Sequence, residues 1–380
     1  MTTTGFVPPP YPQDRLSELL ATADRLPGGV IDCSVGTPVD PMPEVVRRAF
    51  LEALPQATGY PPSIGTPALR GAAAGWIERR FGVSLPAEQV RACVGTKEAV
   101  AGLPHLLALR DPTRDTVLYP AISYPTYAMG AVLAGLRAVP VPVDDRWRLD
   151  LGGVDAPDAE RSLVLWLNDP ANPTGAGSSP EEMRAAVAWA RDRGIIVASD
   201  ECYAEFTAND AGEPAPPVTA LSAGTDGVLA LHSLSKRSNM AGLRAGFFAG
   251  DPTLIGYLGE ARKHAGFMMP SPVQAAAAAA LADDAHVDEQ RARYARRRAR
   301  LLPALDAAGL VHDGGPSTFY LWLRAAGTDE DGWSIAARLA ECGILVAPGD
   351  LYGPGGERHA RLALSITDEH VDVAVKRLTA

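Results

Sequence analysis

Only four of the 35 basic residues in this 380-residue chain are lysines: Lys97, Lys236, Lys263 and Lys376. Arginine keeps its proton at any accessible pH, whereas a lysine amine can lose it and attack a carbonyl carbon. Lys236 closes the run Ser233-Leu-Ser-Lys236 that follows the apolar stretch Val228–His232, and Arg244 stands eight residues further on. Two other apolar runs end in polar groups in the same way. Leu163–Leu167 leads into Asn168-Asp-Pro-Ala-Asn-Pro-Thr-Gly175, and Ile195–Ser199 leads into Asp200-Glu-Cys-Tyr203. An amide, a carboxylate with a nearby phenol, and an amine flanked by hydroxyls and guanidinium groups therefore stand at the ends of three apolar runs. Pyridoxal phosphate needs this inventory: a Schiff-base lysine, an acid to pair with its pyridinium nitrogen, and a cradle for its phosphate.

Each member also has an ordinary reading by itself. Asp200 fits a turn or a helix N-cap, Lys236 fits a surface, and Asn172-Pro-Thr-Gly175 is a turn signal. Jointly, in this order and at successive strand ends, the chemical reading outweighs the ordinary ones.

The elements that position these groups follow from the hydrophobic pattern. Short apolar runs at Thr116–Tyr119, Ala138–Val143, Leu163–Leu167, Ile195–Ser199, Val228–His232 and Arg244–Ala249 read as strands. Helical periodicity fills Lys97–Leu109, Pro125–Leu133 and Pro180–Arg193, and Pro43–Leu54 reads as a capped helix. Continuous apolar strands alternating with helices predict an α/β fold: a mostly parallel sheet sandwiched by helices, with ligands at the carboxyl ends of its strands. A single long helix is expected from Pro272 to Leu302, with its arginine run as a solvated face, and Ser317–Ala380 reads as a smaller α+β unit. The expected division is residues 1–40 as an N-terminal segment joining the small domain, 41–270 as the large cofactor-binding domain, and 271–380 as the small domain.

Composition narrows the function classes. The formal net charge of −10 argues against a nucleic-acid binder, which would carry a basic stripe. Cys33, Cys93, Cys202 and Cys342 are far apart, with no CxxC pair, so neither a zinc site nor a disulfide framework is expected. The N-terminus lacks the basic and apolar regions of a signal peptide, and Ala275–Leu281 is too short to span a membrane, so a cytoplasmic protein with no membrane partner is expected. No GxGxxG, GxxxxGK[ST] or HExxH motif is present, which removes the usual nicotinamide, P-loop and metalloprotease readings.

With these residues in view, the chain resembles the fold-type I, class I/II pyridoxal-phosphate aminotransferases. The resemblance rests on NPTG, on Asp200-x-x-Tyr203, and on Ser-x-Ser-Lys236 followed by Arg244. It extends through Val35-Gly36-Thr37-Pro38, Tyr60 with Gly65-Thr-Pro-Ala-Leu-Arg70, Gly95-Thr-Lys-Glu-Ala99, Ser123-Tyr-Pro-Thr-Tyr127, Pro348-Gly349, Tyr352-Gly353 and Arg361-Leu-Ala-Leu-Ser365. It implies that Lys236 forms the Schiff base and shuttles a proton, while Asp200 holds the pyridine nitrogen protonated. Asn172 and Tyr203 would bond the ring's phenolate oxygen, and Tyr124 would stack on the ring. Ser233, Arg244 and the backbone amides of Thr96 and Lys97 would hold the phosphate. Arg361 would clasp the substrate α-carboxylate in a two-pronged fork near Gly36, with Tyr124 and Asn172 also lining the substrate site. Tyr60 would reach the phosphate of a partner subunit, implying a homodimer with shared sites. Arg237 and Arg244 are expected to depress the Lys236 pKa, Arg237 more weakly because its side chain can point away.

Several stretches, among them Arg262-Lys-His-Ala-Gly-Phe-Met-Met-Pro-Ser-Pro-Val-Gln274, are most similar to the succinyldiaminopimelate aminotransferases of lysine and diaminopimelate biosynthesis. That branch implies amino transfer between glutamate and N-succinyl-2-amino-6-ketopimelate. Arg262, Lys263 and His264 are the expected readers of the distal carboxylate. The alternatives are an aspartate- or kynurenine-type enzyme of broad specificity, a β-lyase acting on cysteine–sulfur bonds, and a cofactor-binding transcription regulator. The regulator would need a winged-helix module that the Pro-rich N-terminus does not supply.

Overall fold

The computed structural model describes residues 5–380. The first four residues of the expected N-terminal segment lie outside the described residues. The strands, in chain order, are β1 (Ile31–Asp32), β2 (Val90–Cys93), β3 (Thr116–Pro120), β4 (Arg137–Val141), β5 (Ser162–Asn168), β6 (Ile196–Asp200), β7 (Val228–Ser233), β8 (Gly246–Gly250), β9 (Leu310–His312), β10 (Tyr320–Ala325), β11 (Ile344–Leu345), β12 (Ala347–Pro348) and β13 (Ala360–Ala363). Seven of them form one sheet in the order β2-β8-β7-β6-β5-β3-β4. The neighbours β4, β3, β5, β6 and β7 run parallel, and β8 runs antiparallel to both β7 and β2. This is the mostly parallel sheet the apolar runs predict. Its last expected strand begins later than Arg244, because that residue sits in the left-handed region at φ 55° and turns the chain before β8 starts.

The central strands are apolar on both faces, and each face has its own helical cover. Leu165, Leu167, Val197 and Ala230 pack with Trp76, Ile77, Met183 and Val187 on one side. Val164, Trp166, Ala198, Leu229 and Leu231 pack with Val100, Leu103, Tyr127, Leu254 and Leu258 on the other. That alternation is the two-residue period of a strand, and burying each Leu or Val contributes about 1.5–3 kcal/mol. The helix Pro180–Arg191 starts on a capping box in which Ser179 and Glu182 satisfy each other's backbone amides.

The expected single helix from Pro272 to Leu302 is two helices, Ser271–Ala282 and Ala285–Ala307. The break falls at Asp283, whose backbone is extended and whose carboxylate accepts the His286 N–H. The Ala-rich first half packs into the core shared by the large sheet. The second half packs against the smaller unit. Its arginine run is not wholly solvated, since Arg297 is buried between Asp40 and Asp368, at 2.7 Å from each.

The smaller unit carries the sheet β12-β13-β10-β9. The N-terminal segment reaches it by pairing β1 parallel to β11. Ile31 and Cys33 thereby join a second core with Phe319, Leu321, Leu323, Leu339 and Leu362. Among the described residues no helix is long and apolar enough to cross a membrane.

Candidate active site

Because β5, β6 and β7 are parallel and adjacent, their carboxyl ends bring Asn168, Asp200 and Ser233 to one edge, with Asn168 directly beside Asp200 in register. There a cavity of about 480 Å³ opens between the large sheet and the smaller unit. Gly36, Thr96, Lys97, Tyr124, Asn172, Asp200, Tyr203, Ser233, Lys236, Arg244 and Arg361 all line it.

Asp200 is buried, and its two carboxylate oxygens accept from the Cys202 amide (3.2 Å) and the Tyr127 hydroxyl (2.9 Å). Burial lifts its pKa above the usual carboxylate value despite both bonds. Tyr127 was not among the expected site residues. It lies one helical turn beyond Tyr124 in the Ser-Tyr-Pro-Thr-Tyr run, and that i,i+3 spacing was the signal available.

Lys236 sits in a one-turn helix capped by Ser233, whose hydroxyl accepts the Ser235 N–H at 3.1 Å. Its amine donates to the Gly36 carbonyl. Burial lowers its pKa, and the charges of Arg361 and Arg244 act in the same direction against the pull of Tyr320 and Cys202. Arg237 does not contribute as expected. Its buried side chain turns to the back of the sheet, bonding the Ala280 carbonyl at 2.8 Å and facing Glu205 and Asp284.

One end of the cavity is built to receive an anion. The helix Thr96–Arg110 begins there with unpaired amides. Ser233 and Ser235 line the same end. The Arg244 guanidinium lies over Gly95, where a Cβ would stand 2.2 Å from its Nη2. Gly95 holds φ at 74°, a conformation that strains any other residue, and a side chain there would also push the Arg244 guanidinium aside.

Arg361 reaches in from β13. Its Nη1 donates to Asn172 Oδ1 (2.9 Å) and its Nη2 to the Ser34 carbonyl (2.6 Å). Its guanidinium packs 4.2 Å from the Tyr320 ring centroid and 4.9 Å from that of Tyr352. Its buried Nε has no hydrogen-bond partner among the described residues, so the fork retains a donor for an incoming carboxylate. Tyr320 was also missed. Its hydroxyl pairs with that of Tyr203 at 2.9 Å and fills the space that any side chain at position 36 would need. Nothing near Tyr320 in sequence signals this, because the smaller unit delivers it.

The expected distal readers Arg262, Lys263 and His264 need correction. Arg262 does not face the cavity; it forks onto Glu98 at 2.9 and 2.5 Å and is buried. Lys263 is exposed and paired with Glu260, and neither it nor His264 lines the cavity. The physical reason is that the helix Pro252–His264 packs its apolar side on the sheet face that also carries the Thr96–Arg110 helix, so Arg262 meets Glu98 of that helix rather than the cavity. Tyr60 is 94% exposed and outside the cavity of its own chain. The cation that does stand at the cavity rim is the Lys97 side chain, donating to Tyr11 Oη at 2.8 Å and lying 4.6 Å from the Tyr11 ring centroid.

The chain matches the family model "Aminotransferase class I and II" over residues 29–378. It is 46% identical to the 4-dedimethylamino-4-oxo-anhydrotetracycline transaminase OxyQ of Streptomyces rimosus, covering 98% of this chain and 99% of that protein. It is 35% identical to an LL-diaminopimelate aminotransferase of Gloeobacter violaceus, covering 92% and 90% respectively. Among solved structures, a probable N-succinyldiaminopimelate aminotransferase of Thermus thermophilus superposes with a TM-score of 0.83 at 31% identity, covering 97% of this chain and 99% of that one. A strand-end lysine and acid facing a buried arginine, on a chain matched almost end to end, make this protein an aminotransferase of the class I and II family.

Proposed function

We propose that the cavity binds pyridoxal 5′-phosphate and that the enzyme transfers an amino group between glutamate and a keto acid bearing a remote carboxylate, with N-succinyl-2-amino-6-ketopimelate as the acceptor. Members of this family use that cofactor, and the residues present fit it. The buried Asp200 carboxylate has hydroxyl and amide donors but forms no ion pair among the described residues, so a protonated ring nitrogen would supply the missing positive charge. The amides of Thr96 and Lys97 with Ser233 and Arg244 would hold the phosphate. Asn172 and Tyr203 would hold the ring's oxygen, and Tyr124 would cover one ring face. When bound, the cofactor would supply an electron sink for the pair left at the substrate Cα and a carbonyl carbon that accepts the amino group.

The chain's own contribution is binding, orientation and proton movement. Arg361 binds the α-carboxylate and fixes the direction of the bond to be broken. Lys236, its proton loosened by burial, would take a proton from the substrate Cα and deliver it to the cofactor carbon that bears the amino group. Tyr320 and Gly36 close the space around the amine and limit water.

The observation that carries the reading is that Arg361 and Lys97 line the same cavity as Lys236 and Asp200, so two cations are available to a substrate with two carboxylates. A hydrogen bond with Tyr11 keeps Lys97 above the ordinary lysine pKa although burial opposes it. Lys97 therefore replaces the Arg262–His264 trio as the proposed reader of a distal carboxylate. We further infer a cytoplasmic homodimer in which Tyr60, so exposed in one chain, completes the partner's site. A second reading is favoured by the 46% identity to OxyQ: a bulky polycyclic ketone as acceptor.

Loss of the cofactor's visible absorbance on adding single amino donors tests both. Glutamate and N-succinyl-diaminopimelate are expected to react, and alanine and phenylalanine poorly. Equal reaction of phenylalanine and the succinylated donor would overturn the distal-carboxylate reading. Reaction with an amino-anhydrotetracycline but not the succinylated donor would establish the second.

A further inference from the structure

Behind the anion-receiving end of the cavity lies an ion pair that lines no part of it. Arg262 forks onto Glu98, with both nitrogens of the fork within 2.9 Å of a carboxylate oxygen. The Arg262 side chain is only 7% exposed and is flanked by Phe248 and Phe267, whose ring centroids are 5.4 and 4.7 Å from its guanidinium carbon. Glu98 does a second thing: its Oε1 accepts the backbone N–H of Val94 at 2.8 Å. Val94 and Gly95 are the turn into the helix that starts at Thr96, and Gly95 is the residue under Arg244. The buried Cys93 thiol next to this turn is influenced by the charges of Glu98, Arg262, Arg244 and Asp200 together, so the pair and the cavity share one electrostatic neighbourhood.

A carboxylate in the first turn of a helix stabilises the empty helix end. The same carboxylate opposes a phosphate dianion bound at those amides, because two like charges then compete for one positive pole. Arg262 removes the conflict. It neutralises Glu98 while leaving the Glu98–Val94 bond intact, so the turn keeps its shape without repelling the ligand. Arg262 has no acidic partner other than Glu98 among the described residues.

We propose that Arg262 is a positioning residue for the phosphate end of the cofactor, acting through Glu98 on the Val94–Lys97 turn. This rests on the reading that the cavity binds pyridoxal 5′-phosphate. The test titrates the apoprotein with pyridoxal 5′-phosphate and, separately, with pyridoxal, which lacks the phosphate, and reads the dissociation constants by tyrosine and tryptophan fluorescence. Arg262→Met should weaken the phosphorylated ligand by about tenfold or more and pyridoxal by less than about twofold, since truncating one partner leaves a buried charge uncompensated. Removing both charges, in E98Q/R262M, should restore phosphorylated-ligand binding to within about threefold of the unmodified protein, the residual loss reflecting a neutral amide in place of the cap. Should Arg262→Met not fold, Arg262→Gln decides, because it keeps a polar head group without the charge and should weaken the phosphorylated ligand alone. Equal losses for the two ligands, an unchanged Arg262→Met or Arg262→Gln, or a double variant no better than Arg262→Met would overturn the proposal. An unmodified protein that binds neither ligand would instead overturn the cofactor reading beneath it.

Discussion

The same two strand ends carry opposite chemistry on their two faces. Asp200 and Ser233 point with Ala198, Leu229 and Leu231 toward the cavity side, while the adjacent Glu201 and His232 point with Val197 and Ala230 toward the back. On the cavity side, the buried acid has donors from Tyr127 and Cys202 and an opening beside it. On the back, Glu201 Oε2 and His232 Nε2 face each other at 3.5 Å, beneath Trp76 and Phe247, and neither lines the cavity. Burial there lifts the Glu201 carboxyl to about 8 and pushes the His232 imidazole down to about 3, so at neutral pH both are uncharged. Two acids adjacent in sequence are thus both raised by burial, and only the one whose face opens onto space for a ligand can do chemistry. A perturbed pKa marks burial first and function only when a cavity accompanies it.

The largest break in that comparison is Asp200→Asn. An amide cannot keep a proton on a ring nitrogen, so transamination should fall by about 10³-fold or more while cofactor stays bound. Near-normal turnover at retained absorbance would remove Asp200 from the mechanism.

Lys97→Met comes next. It should lower kcat/KM for donors with a distal carboxylate by about tenfold, the scale of one lost charge-assisted bond, and leave apolar donors nearly unchanged. A uniform loss across the donor panel would instead assign Lys97 to the cofactor alone.

Glu201→Gln should be nearly silent at neutral pH, since the native group is already protonated. Its signature is in stability against pH. Glu201 titrates near 8 when folded and near the ordinary carboxylate value when unfolded, so between these pH values the folded state binds the extra proton. The wild-type protein should therefore lose stability as pH rises through that window, and the variant should lose less. The measurement is the slope of Tm between pH 5 and 8.5, with a difference of a few degrees expected. Identical slopes would mean that Glu201 is ionised in the fold.

The smallest effect is that of Lys263→Ala, whose only ion pair among the described residues is an exposed one with Glu260. Turnover of every donor should change by less than about twofold, because exposed pairs contribute at most about 1 kcal/mol. A selective loss of distal-carboxylate donors would return the trio to the site.

Much of the fold and of the cavity floor was legible in the sequence, for a local reason. Leu163–Leu167, Ile195–Ser199 and Val228–His232 are covered on both faces and so are apolar at every position but Ser199 and His232, and the polar residues that follow them mark the sheet edge. Asn172, Asp200, Ser233 and Lys236 are positioned by the strands that directly precede them, and residues read along the chain are enough to group them. The break at Asp283 was less visible, because alanines on one side and arginines on the other both favour helix, and packing into two different cores decides where the chain turns.

The amino-acid sequence by itself determined the strand-end inventory, the class of sheet and the family. Tertiary structure alone decided which cations meet the cavity. Lys97, Arg262 and Lys263 all lie on helices, and nothing in their spacing distinguishes them. The Pro252–His264 helix buries Leu254, Ile255 and Leu258 against the sheet beside the Thr96 helix, and that burial carries Arg262 to Glu98 and leaves Lys263 outside. The Thr96 helix instead starts at the strand ends, where Lys97 meets Tyr11 from the N-terminal segment. A side chain's charge is written in the sequence. The surface it faces follows from the burial of its apolar neighbours, which is a property of the whole fold.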